Sequence, residues 1–303
     1  MSKIVGIGAC VMDTLISIPC YPAEDTKLCA EESRLAGGGP VGTGLVAAAK
    51  LGQDCAYIGI LSDDNSGDFL KSDFEKYGVS GKYILTKKGC RSFTSVIWLS
   101  KESSSRTCVF DRGNLPPLKL TEDQKEAIKN AELLMVDGNE LEAAIEGAKI
   151  ARKNNTQVLY DAGSLYPGYE NLLPYVDILI PSKEFALEAT GCETVEEAAK
   201  KLFETYHPRI VVITCGKCGG ILFDGNRFLP YPCYPVCAID SNGAGDVFHG
   251  AFAFGITKGY SYEACCHFSS AVSALKCTGI GARESTPDFE TVCSYLKENG
   301  YEF

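Results

Sequence analysis

The stretch Asp240-Ser241-Asn242-Gly243-Ala244-Gly245-Asp246 opens an apolar run, residues 247–254, that is typical of a buried helix. Small residues at a helix start leave several backbone N–H groups pointing at one spot, with the positive end of the helix dipole behind them. This arrangement predicts an anion site, typically for phosphate. A carboxylate beside it would repel a phosphate, so Asp246 is better explained as a base. It would take the proton from a hydroxyl that attacks the phosphate.

Strand-like apolar runs alternate with helical segments over most of the chain. Strands are predicted at 3–9, 55–59, 133–137, 157–161, 178–180 and 210–214. Helices are predicted at 42–51, 67–77, 140–152, 182–190, 195–206, 244–258, 262–277 and 288–298. This alternation predicts an α/β fold with a parallel sheet and helices on both of its faces. Length alone allows one large domain or two smaller ones.

Two segments do not follow this alternation. Residues 15–35 show alternating apolar positions without a helical period, and 91–111 reads as two strands, 91–99 and 106–111, joined by a polar tip. Together they could form a small β-sheet that stands off the main sheet as a lid over a site at the C-terminal ends of the strands. Edge strands of the main sheet are the alternative.

The composition limits the partners of the protein. A net charge of −10 argues against nucleic acid or an anionic membrane as the main partner, since both require a basic face. No stretch reaches the roughly 18 apolar residues of a membrane span. The N-terminus runs directly into a strand pattern that leads to Asp13, with no small-residue cleavage site. These features favour a cytoplasmic protein.

The chain contains 15 cysteines. In a reducing compartment they are best interpreted as small hydrophobic residues. Cys215, Cys218, Cys233 and Cys237 loosely resemble the spacing of a zinc ribbon. The interpretation we favour is that Cys215 ends a buried strand and the other three lie in turns.

Three further motifs point to small-molecule binding. The run Gly6-Ile7-Gly8-Ala9-Cys10-Val11 begins like a dinucleotide fingerprint, but the helix start that NAD binding needs is missing. Asp13, just past this strand, can accept hydrogen bonds from two sugar hydroxyls, or be a turn residue. The glycines of 36–44 let a ligand approach the backbone at a helix start, without the Lys-Ser/Thr of a P-loop. The turn 214–220 would let a base or ribose pack against the backbone, although a plain hairpin explains it equally well.

In this order and spacing, the motifs resemble those of the ribokinase/PfkB family of carbohydrate kinases. The resemblance rests on Asp13, Gly38-Gly39, Thr214-x-Gly216-x-x-Gly219 and Asp240-x-x-Gly243-Ala244-Gly245-Asp246, and it covers nearly the whole chain. It implies one domain over residues 1–303, a ribokinase-like three-layer α/β/α sandwich with a mostly parallel central sheet. It also implies a small β-sheet lid formed by approximately 13–35 and 91–112.

The resemblance implies roles for individual residues. Asp246 corresponds to the catalytic base, and the N–H groups of Gly243, Ala244 and Gly245 to an anion hole for the transferred phosphoryl group. Asp13, Gly38 and Gly39 correspond to the sugar site, and Thr214, Gly216, Gly219 and Ser270 to the ATP site. Magnesium would bridge the phosphates. Many members hold a monovalent cation, usually potassium, at the positions of Asp240, Asn242, Gly281 and Ser285.

The chain departs from the family pattern at several positions. Thr43 stands where many members have the Asn that contacts the sugar, and Ser182-Lys183-Glu184-Phe185 replaces an Asn-x-x-Glu that helps to organise magnesium. Glu184, one residue early, and Asp161 are the candidates to hold magnesium through water. Arg112 could pair with an acidic or phosphorylated sugar, or be a surface arginine beside Asp111.

The sequence therefore predicts an ATP-dependent kinase for a small sugar. A nucleoside kinase of the same family and a non-catalytic sugar- or nucleotide-binding member are the alternatives. We favour a sugar because Asp13 suits a polyol and the tip of the lid shows no evident aromatic clamp for a base. His249, on the helix after Asp246, is expected to pack behind the site. Lids in this family often pair, so the resemblance also implies a possible homodimer.

Overall fold

The computed structural model of the protein describes residues 2–103 and 105–301, and the strands and helices given below lie within these ranges. The strands are β1 (Ile4–Ile7), β2 (Val11–Ile18), β3 (Glu32–Gly38), β4 (Cys55–Ser62), β5 (Val79–Lys87), β6 (Thr94–Ser100), β7 (Ser105–Asp111), β8 (Leu133–Val136), β9 (Gln157–Ala162), β10 (Ile178–Pro181), β11 (Ile210–Thr214), β12 (Gly220–Phe223) and β13 (Phe228–Tyr231). The α-helices are α1 (Pro40–Lys50), α2 (Asn65–Lys76), α3 (Glu122–Lys129), α4 (Leu141–Lys153), α5 (Lys183–Thr190), α6 (Val195–Tyr206), α7 (Ala244–Thr257), α8 (Tyr262–Lys276) and α9 (Phe289–Glu298).

Nine strands form the main sheet, in the order β13-β12-β11-β10-β9-β8-β1-β4-β5. The pairs from β11 to β5 are parallel, whereas β12 and β13 are antiparallel additions at one edge. Successive residues of the central strands enter two separate cores. Ile4 and Met135 pack with α1, α7 and α8, whereas Val5 and Val136 pack with α4 and α6. Helices therefore cover both faces of the sheet, and the predicted three-layer fold is confirmed.

A second sheet, which we call the lid sheet, contains four strands in the order β3-β2-β6-β7. Along β6, Ser95 and Ile97 are buried whereas Val96 and Trp98 are exposed, so the sheet has an inner and an outer face. Ile97 packs with Leu15 and Ala36 in a small core of its own. The alternative interpretation, edge strands of the main sheet, is wrong for these segments.

Some elements have no counterpart in the sequence prediction. Helix α3 is short and polar, and it buries only Gln124 and Ile128, so it lacks an apolar period. A capping box between Thr121 and Gln124 starts it instead. Strand β5 lies at an edge and is largely exposed. In each case the burial pattern that would signal the element is weak.

The order of the main sheet determines where a ligand can bind. From β1 the chain continues to β4 on one side and later to β8 on the other, so the strand order reverses between β1 and β8. In open α/β sheets, ligands bind beyond the C-terminal ends of the strands at such a switch point. Asp137 follows β8 directly at this point, and residues 8–10 link β1 to the lid sheet.

Two global features bear on function. Within the described residues, no helix combines the length and the apolar character needed to cross a lipid bilayer. The same residues contain no group of three or more His, Cys, Asp or Glu side chains placed to share a metal ion. Of the four cysteines whose spacing loosely resembles a zinc ribbon, Cys215 follows β11 directly and Cys218 lies in the 3₁₀ turn after it.

Candidate active site

The turn 240–246 begins α7, as predicted. Gly243 is the N-cap residue with φ of 73°, a left-handed conformation that favours glycine. The carboxylate of Asp240 accepts the Asn242 N–H at 2.8 Å, which fixes the turn before the helix starts. Gly245 and Asp246 therefore lie in the first helical turn, where N–H groups lack partners within the helix.

Only part of the predicted anion hole is available. The Ala244 N–H donates to the Ser241 carbonyl at 3.2 Å, so it is already engaged. The N–H groups of Gly243 and Gly245 meet no acceptor among the residues that the structure describes. We therefore assign the anion-binding capacity of the turn to these two groups and to the helix dipole.

Two cavities meet at Asp246. One, of about 180 Å³, lies between the turn and the lid sheet and is called the sugar cavity here. The other, of about 430 Å³, extends along the C-terminal ends of the strands and is called the phosphate cavity. Five residues line both cavities: Pro40, Tyr166, Asn242, Gly243 and Asp246. The carboxylate thus stands where a ligand in one cavity would meet a ligand in the other.

The surroundings of Asp246 favour a base that works near neutral pH. Burial raises the pKa of its carboxyl to about 7, and the negative charges of Asp161 and Asp137 act in the same direction. His249 and Arg106 oppose this rise. A base whose pKa lies near the working pH is both largely deprotonated and a useful proton acceptor.

Asp13 lies inside the sugar cavity, on strand β2 of the lid sheet rather than in a turn. Its Oδ1 accepts a hydrogen bond from Ser95 Oγ at 2.6 Å. Its Oδ2 lies directly over Gly38, where a Cβ atom would collide with it. Burial raises the pKa of Asp13 to about 6, while the Ser95 hydrogen bond and Arg283 counteract the rise. Glycine at 38 is therefore required for the position of this carboxylate.

Two other predicted residues, Thr43 and Arg112, also line the sugar cavity. Thr43 is fully buried, and its hydroxyl has no hydrogen-bond partner within residues 2–103 and 105–301. The guanidinium of Arg112 lies 5.4 Å, 5.8 Å and 5.6 Å from the ring centres of Phe93, Phe110 and Tyr166. Both side chains thus present polar groups to whatever occupies the cavity.

The phosphate cavity brings together Asp161, Glu184 and Thr214. Ser182 begins the segment that replaces the family's Asn-x-x-Glu, and its hydroxyl caps α5 by accepting the Phe185 N–H. Phe185, at the other end of the segment, is buried against Tyr160 and Tyr169. Both ends of the segment therefore stabilise the fold, Ser182 as a helix cap and Phe185 as a core residue. Glu184 is the carboxylate of this segment that lines the cavity.

The other predicted nucleotide residues do not line the phosphate cavity. Gly216 and Gly219 form the tight turn between the antiparallel strands β11 and β12, both with positive φ. Ser270 on α8 donates its hydroxyl to the Pro232 carbonyl at 2.5 Å. The hairpin interpretation of 214–220 thus describes the backbone here.

Sequence reasoning missed Asp137, which connects three parts of the site. Its Oδ2 accepts the N–H groups of Ala9 at 2.8 Å and Val41 at 3.1 Å, and its Oδ1 accepts that of Asn139 at 2.9 Å. The available signal was a carboxylate that directly follows the all-apolar strand β8. Arg106, from lid strand β7, lines the phosphate cavity and was missed as well.

A buried histidine supports the turn from behind. His249 Nδ1 lies 2.6 Å from the Gly245 carbonyl and 3.2 Å from Asp161 Oδ2, and its Nε2 lies 2.9 Å from the Ile180 carbonyl. It therefore ties α7 to strand β10 and lies beside Asp161 of β9, in line with the role expected for it. Burial raises the pKa of Asp161 well above its ordinary value.

Three of the predicted cation ligands, Asp240, Gly281 and Ser285, make hydrogen bonds within the protein. The backbone carbonyl of Asp240 accepts a hydrogen bond from Lys276 Nζ at 2.6 Å. Asp240 Oδ2 accepts the Gly281 N–H at 2.9 Å, and Ser285 Oγ donates to the Ile280 carbonyl at 2.9 Å. Lys276 and these contacts were not foreseen from the sequence.

Comparisons with known proteins agree with this arrangement. The family model described as pfkB family carbohydrate kinase matches residues 1–288. A ribokinase of Haemophilus influenzae is 27% identical over 300 residues, covering 96% of this chain and 97% of that protein. A 5-dehydro-2-deoxygluconokinase of Clostridium perfringens is 30% identical over 295 residues, covering 88% of this chain and 85% of that protein.

Solved structures show the same fold. Arabidopsis thaliana ribokinase complexed with ribose and ATP superposes with a TM-score of 0.86 at 25% identity, covering 98% of this chain and 99% of that one. Ribokinase from Thermotoga maritima superposes with a TM-score of 0.86 at 26% identity, covering 98% and 100% of the two chains. The ribokinase-like fold predicted from the sequence is confirmed.

Proposed function

We propose that this chain, which belongs to the pfkB family of carbohydrate kinases, uses Asp246 as the base in transferring the γ-phosphoryl group of ATP to a hydroxyl of a small sugar. Membership and the relatives make it an ATP-dependent sugar kinase. The observation that carries the proposed mechanism is the position of Asp246 at the junction of the sugar and phosphate cavities.

In this mechanism the sugar binds between Asp13 and Thr43, with the reacting hydroxyl toward Asp246. Asp246 accepts the proton as the hydroxyl oxygen attacks the phosphoryl group in line. The N–H groups of Gly243 and Gly245 and the dipole of α7 stabilise the negative charge on the transferred group. Holding both substrates in this geometry supplies much of the rate acceleration.

Magnesium is the expected companion of the ATP phosphates. Asp161 fits it, since its buried Oδ2 accepts no hydrogen bond from the described residues, and Glu184 lines the same cavity. We propose that these two carboxylates hold the ion through water. When bound, it would neutralise phosphate charge. Potassium is not part of the proposal, because the Asp240 carbonyl predicted to bind it already accepts a hydrogen bond from the Lys276 ammonium.

The size of the sugar cavity supports a small acceptor. Its volume of about 180 Å³ is below the roughly 300–1,000 Å³ typical of pockets for drug-sized ligands. This favours a monosaccharide over a nucleoside, which needs additional space for its base. The solved ribokinase of Arabidopsis thaliana is complexed with ribose, a monosaccharide, and we propose a ketose or aldose as the substrate class.

An acidic sugar is the second candidate. Arg112 offers a guanidinium to the sugar cavity, held among three aromatic rings, and guanidinium groups pair well with carboxylates. The 5-dehydro-2-deoxygluconokinase relative is named for a sugar acid. Under this candidate, Arg112→Met should raise KM for acidic sugars about 10- to 100-fold and leave KM for neutral sugars nearly unchanged. An equal effect on both would eliminate it.

The proposed base is tested by Asp246→Asn in an ATP-consumption assay over ketoses, aldoses, sugar acids and nucleosides. We expect the variant to lose roughly 100-fold or more in kcat, while its affinity for ATP changes little. Normal turnover in this variant would refute the role of Asp246. A wild-type protein that binds sugar and nucleotide but transfers no phosphoryl group would instead be the non-catalytic member.

We also propose that two copies pair through the outer face of the lid sheet. This face exposes Leu35, Val96, Trp98 and Val109. The register places Val96 beside Val109 as an apolar pair, and Leu35 lies on the other side of Thr14 on the same face. Surfaces of this kind commonly mark interaction sites.

A further inference from the structure

Lys276 is a buried cation directly behind the turn that carries Asp246. It is the last residue of α8, and its side chain is 0% exposed. Its Nζ donates to the Asp240 carbonyl at 2.6 Å and lies 3.5 Å from Asp240 Oδ2. An ammonium group is costly to remove from water unless it is paired and hydrogen-bonded. Both conditions are met here by a single residue of the turn.

Three backbone segments meet around this charge. Asp240 binds Lys276 on one side and the Gly281 N–H on the other. The carbonyl of Cys277, the next residue after Lys276, accepts the N–H groups of Ile239 at 2.7 Å and Asp240 at 3.2 Å. The lysine therefore lies where the approach to the turn, the end of α8 and the loop 279–285 are joined.

This arrangement does not fit a bound monovalent cation. Among the oxygens predicted to bind such an ion, the Asp240 carbonyl already binds the ammonium at 2.6 Å. A second cation on the same carbonyl would also be repelled by the first. Burial lowers the pKa of Lys276, and the Asp240 carboxylate opposes this effect.

We propose that the Lys276 ammonium replaces a bound monovalent cation as the fixed positive charge behind the anion-binding turn, so that phosphoryl transfer does not depend on potassium. The peptide unit whose carbonyl faces the ammonium links Asp240 to Ser241, and Ser241 lines the phosphate cavity. A covalently attached charge holds this orientation without a binding equilibrium. Lys276 is thus a positioning residue, and this inference rests on the function proposed above.

The wild-type protein provides the first test. Turnover of ATP and the accepted sugar is measured in potassium, sodium and tetramethylammonium chloride at equal ionic strength. We expect kcat to agree within about twofold in the three salts. A requirement for potassium, with about tenfold or greater loss in tetramethylammonium, would overturn the proposal.

The second test removes the charge. Lys276→Ala should lose about tenfold or more in kcat in tetramethylammonium and regain activity, saturably, with potassium or ammonium ions. Lys50→Met is the matched control, because Lys50 Nζ donates to the Arg283 and Glu284 carbonyls of the same loop without contacting Asp240. The kcat of Lys50→Met should be the same in the three salts. A Lys276→Ala variant whose kcat is also the same in the three salts would contradict the inference.

A third measurement separates this inference from the proposed function. The rise in melting temperature on adding ATP and magnesium reports nucleotide binding without requiring phosphoryl transfer. We expect the same rise in all three salts for the wild-type protein, even if no sugar is phosphorylated. For Lys276→Ala, the rise should be restored by potassium only. If that variant does not fold, a wild-type shift that requires potassium still refutes the proposal.

Discussion

At Asp246, the burial that raises the pKa of the carboxyl also makes it a suitable proton acceptor near neutral pH. Its charged neighbours come from separate elements: Asp161 from β9, Asp137 from the end of β8, His249 from α7 and Arg106 from β7. The two aspartates raise its pKa and the other two lower it. The pKa of one residue is therefore set by its own helix and by three other segments of the chain.

The pH profile of the enzyme should report this raised pKa. Because Asp246 must be deprotonated to act, kcat/KM should fall as pH drops below about 7, rather than only near the ordinary pKa of about 4. Asp161→Asn removes a carboxyl whose negative charge raises the pKa of Asp246, so the acid limb should move to lower pH when both proteins are assayed at saturating magnesium. Asp13, whose pKa is raised to about 6, contributes its own titration, but Asp161 does not act on it. An acid limb that stays in place in Asp161→Asn would contradict this assignment.

Residues differ in how far the sequence could reveal them. Asp13, Gly38 and Asp246 stand in short motifs whose chemistry depends on local spacing. Lys276 and Asp137 are single polar residues at the ends of apolar elements, and their partners lie far away, 36 residues for Lys276 and 128 and 96 residues for two contacts of Asp137. Only the folded chain brings such partners together.

At the scale of elements, α1 and α7 approach closely because both carry glycines at their contact. A Cβ at Gly250 would overlap the carbonyl oxygen of Gly44, and a Cβ at Gly44 would lie 3.3 Å from the Asp246 carbonyl oxygen. This close approach places the glycine-rich start of α1 against the first turn of α7. The sugar and phosphate cavities share residues because these two helix starts are neighbours.

Gly250→Ala should therefore destabilise the protein. The added methyl group must push the two helices apart, and overpacking of this kind costs roughly 1–3 kcal/mol. Gly245→Ala is the control, since it lies in the same helix with no atom within 4 Å of the added Cβ. Chemical denaturation followed by circular dichroism would compare the two. Equal free energies of unfolding for both variants would show that the helix contact tolerates the methyl group.

A buried arginine joins the lid sheet to the main body. Arg283 donates to Asp73 Oδ2 and to the Gly38 carbonyl, both at 2.6 Å, and its guanidinium lies 5.0 Å from the ring centre of Phe74. The strands of the lid sheet were predictable from the alternation of apolar and polar residues. The Arg283–Asp73 contact was not, because the two residues are 210 positions apart in the chain. The Gly38 carbonyl, at the end of β3 beside Asp13, is thereby held to the main body.

At the scale of the whole molecule, two sheets contribute to the site. The main sheet supplies Asp137 and Asp161 at the C-terminal ends of its strands, whereas the lid sheet supplies Asp13 and Arg106, with Arg112 directly after β7. The layer order of the main sheet followed from apolar alternation in the sequence. The orientation of the lid sheet could not be predicted in this way, because both faces of β6 carry apolar residues. Only the folded structure shows that Ser95 and Ile97 are buried whereas Val96 and Trp98 are exposed.

The outer face of the lid sheet should decide the oligomeric state. Val109 is 68% exposed and Val96 39% exposed, side by side on β7 and β6, and a second copy would remove this apolar surface from water. We expect a dimer in analytical ultracentrifugation and a monomer after Val109→Asp, because the buried charge would find no partner. Phe228→Ser is the control: Phe228 is also 39% exposed but lies on β13, at the far edge of the main sheet. It should leave the dimer intact. A wild-type monomer, or a Val109→Asp dimer of unchanged affinity, would remove the lid sheet as the interface.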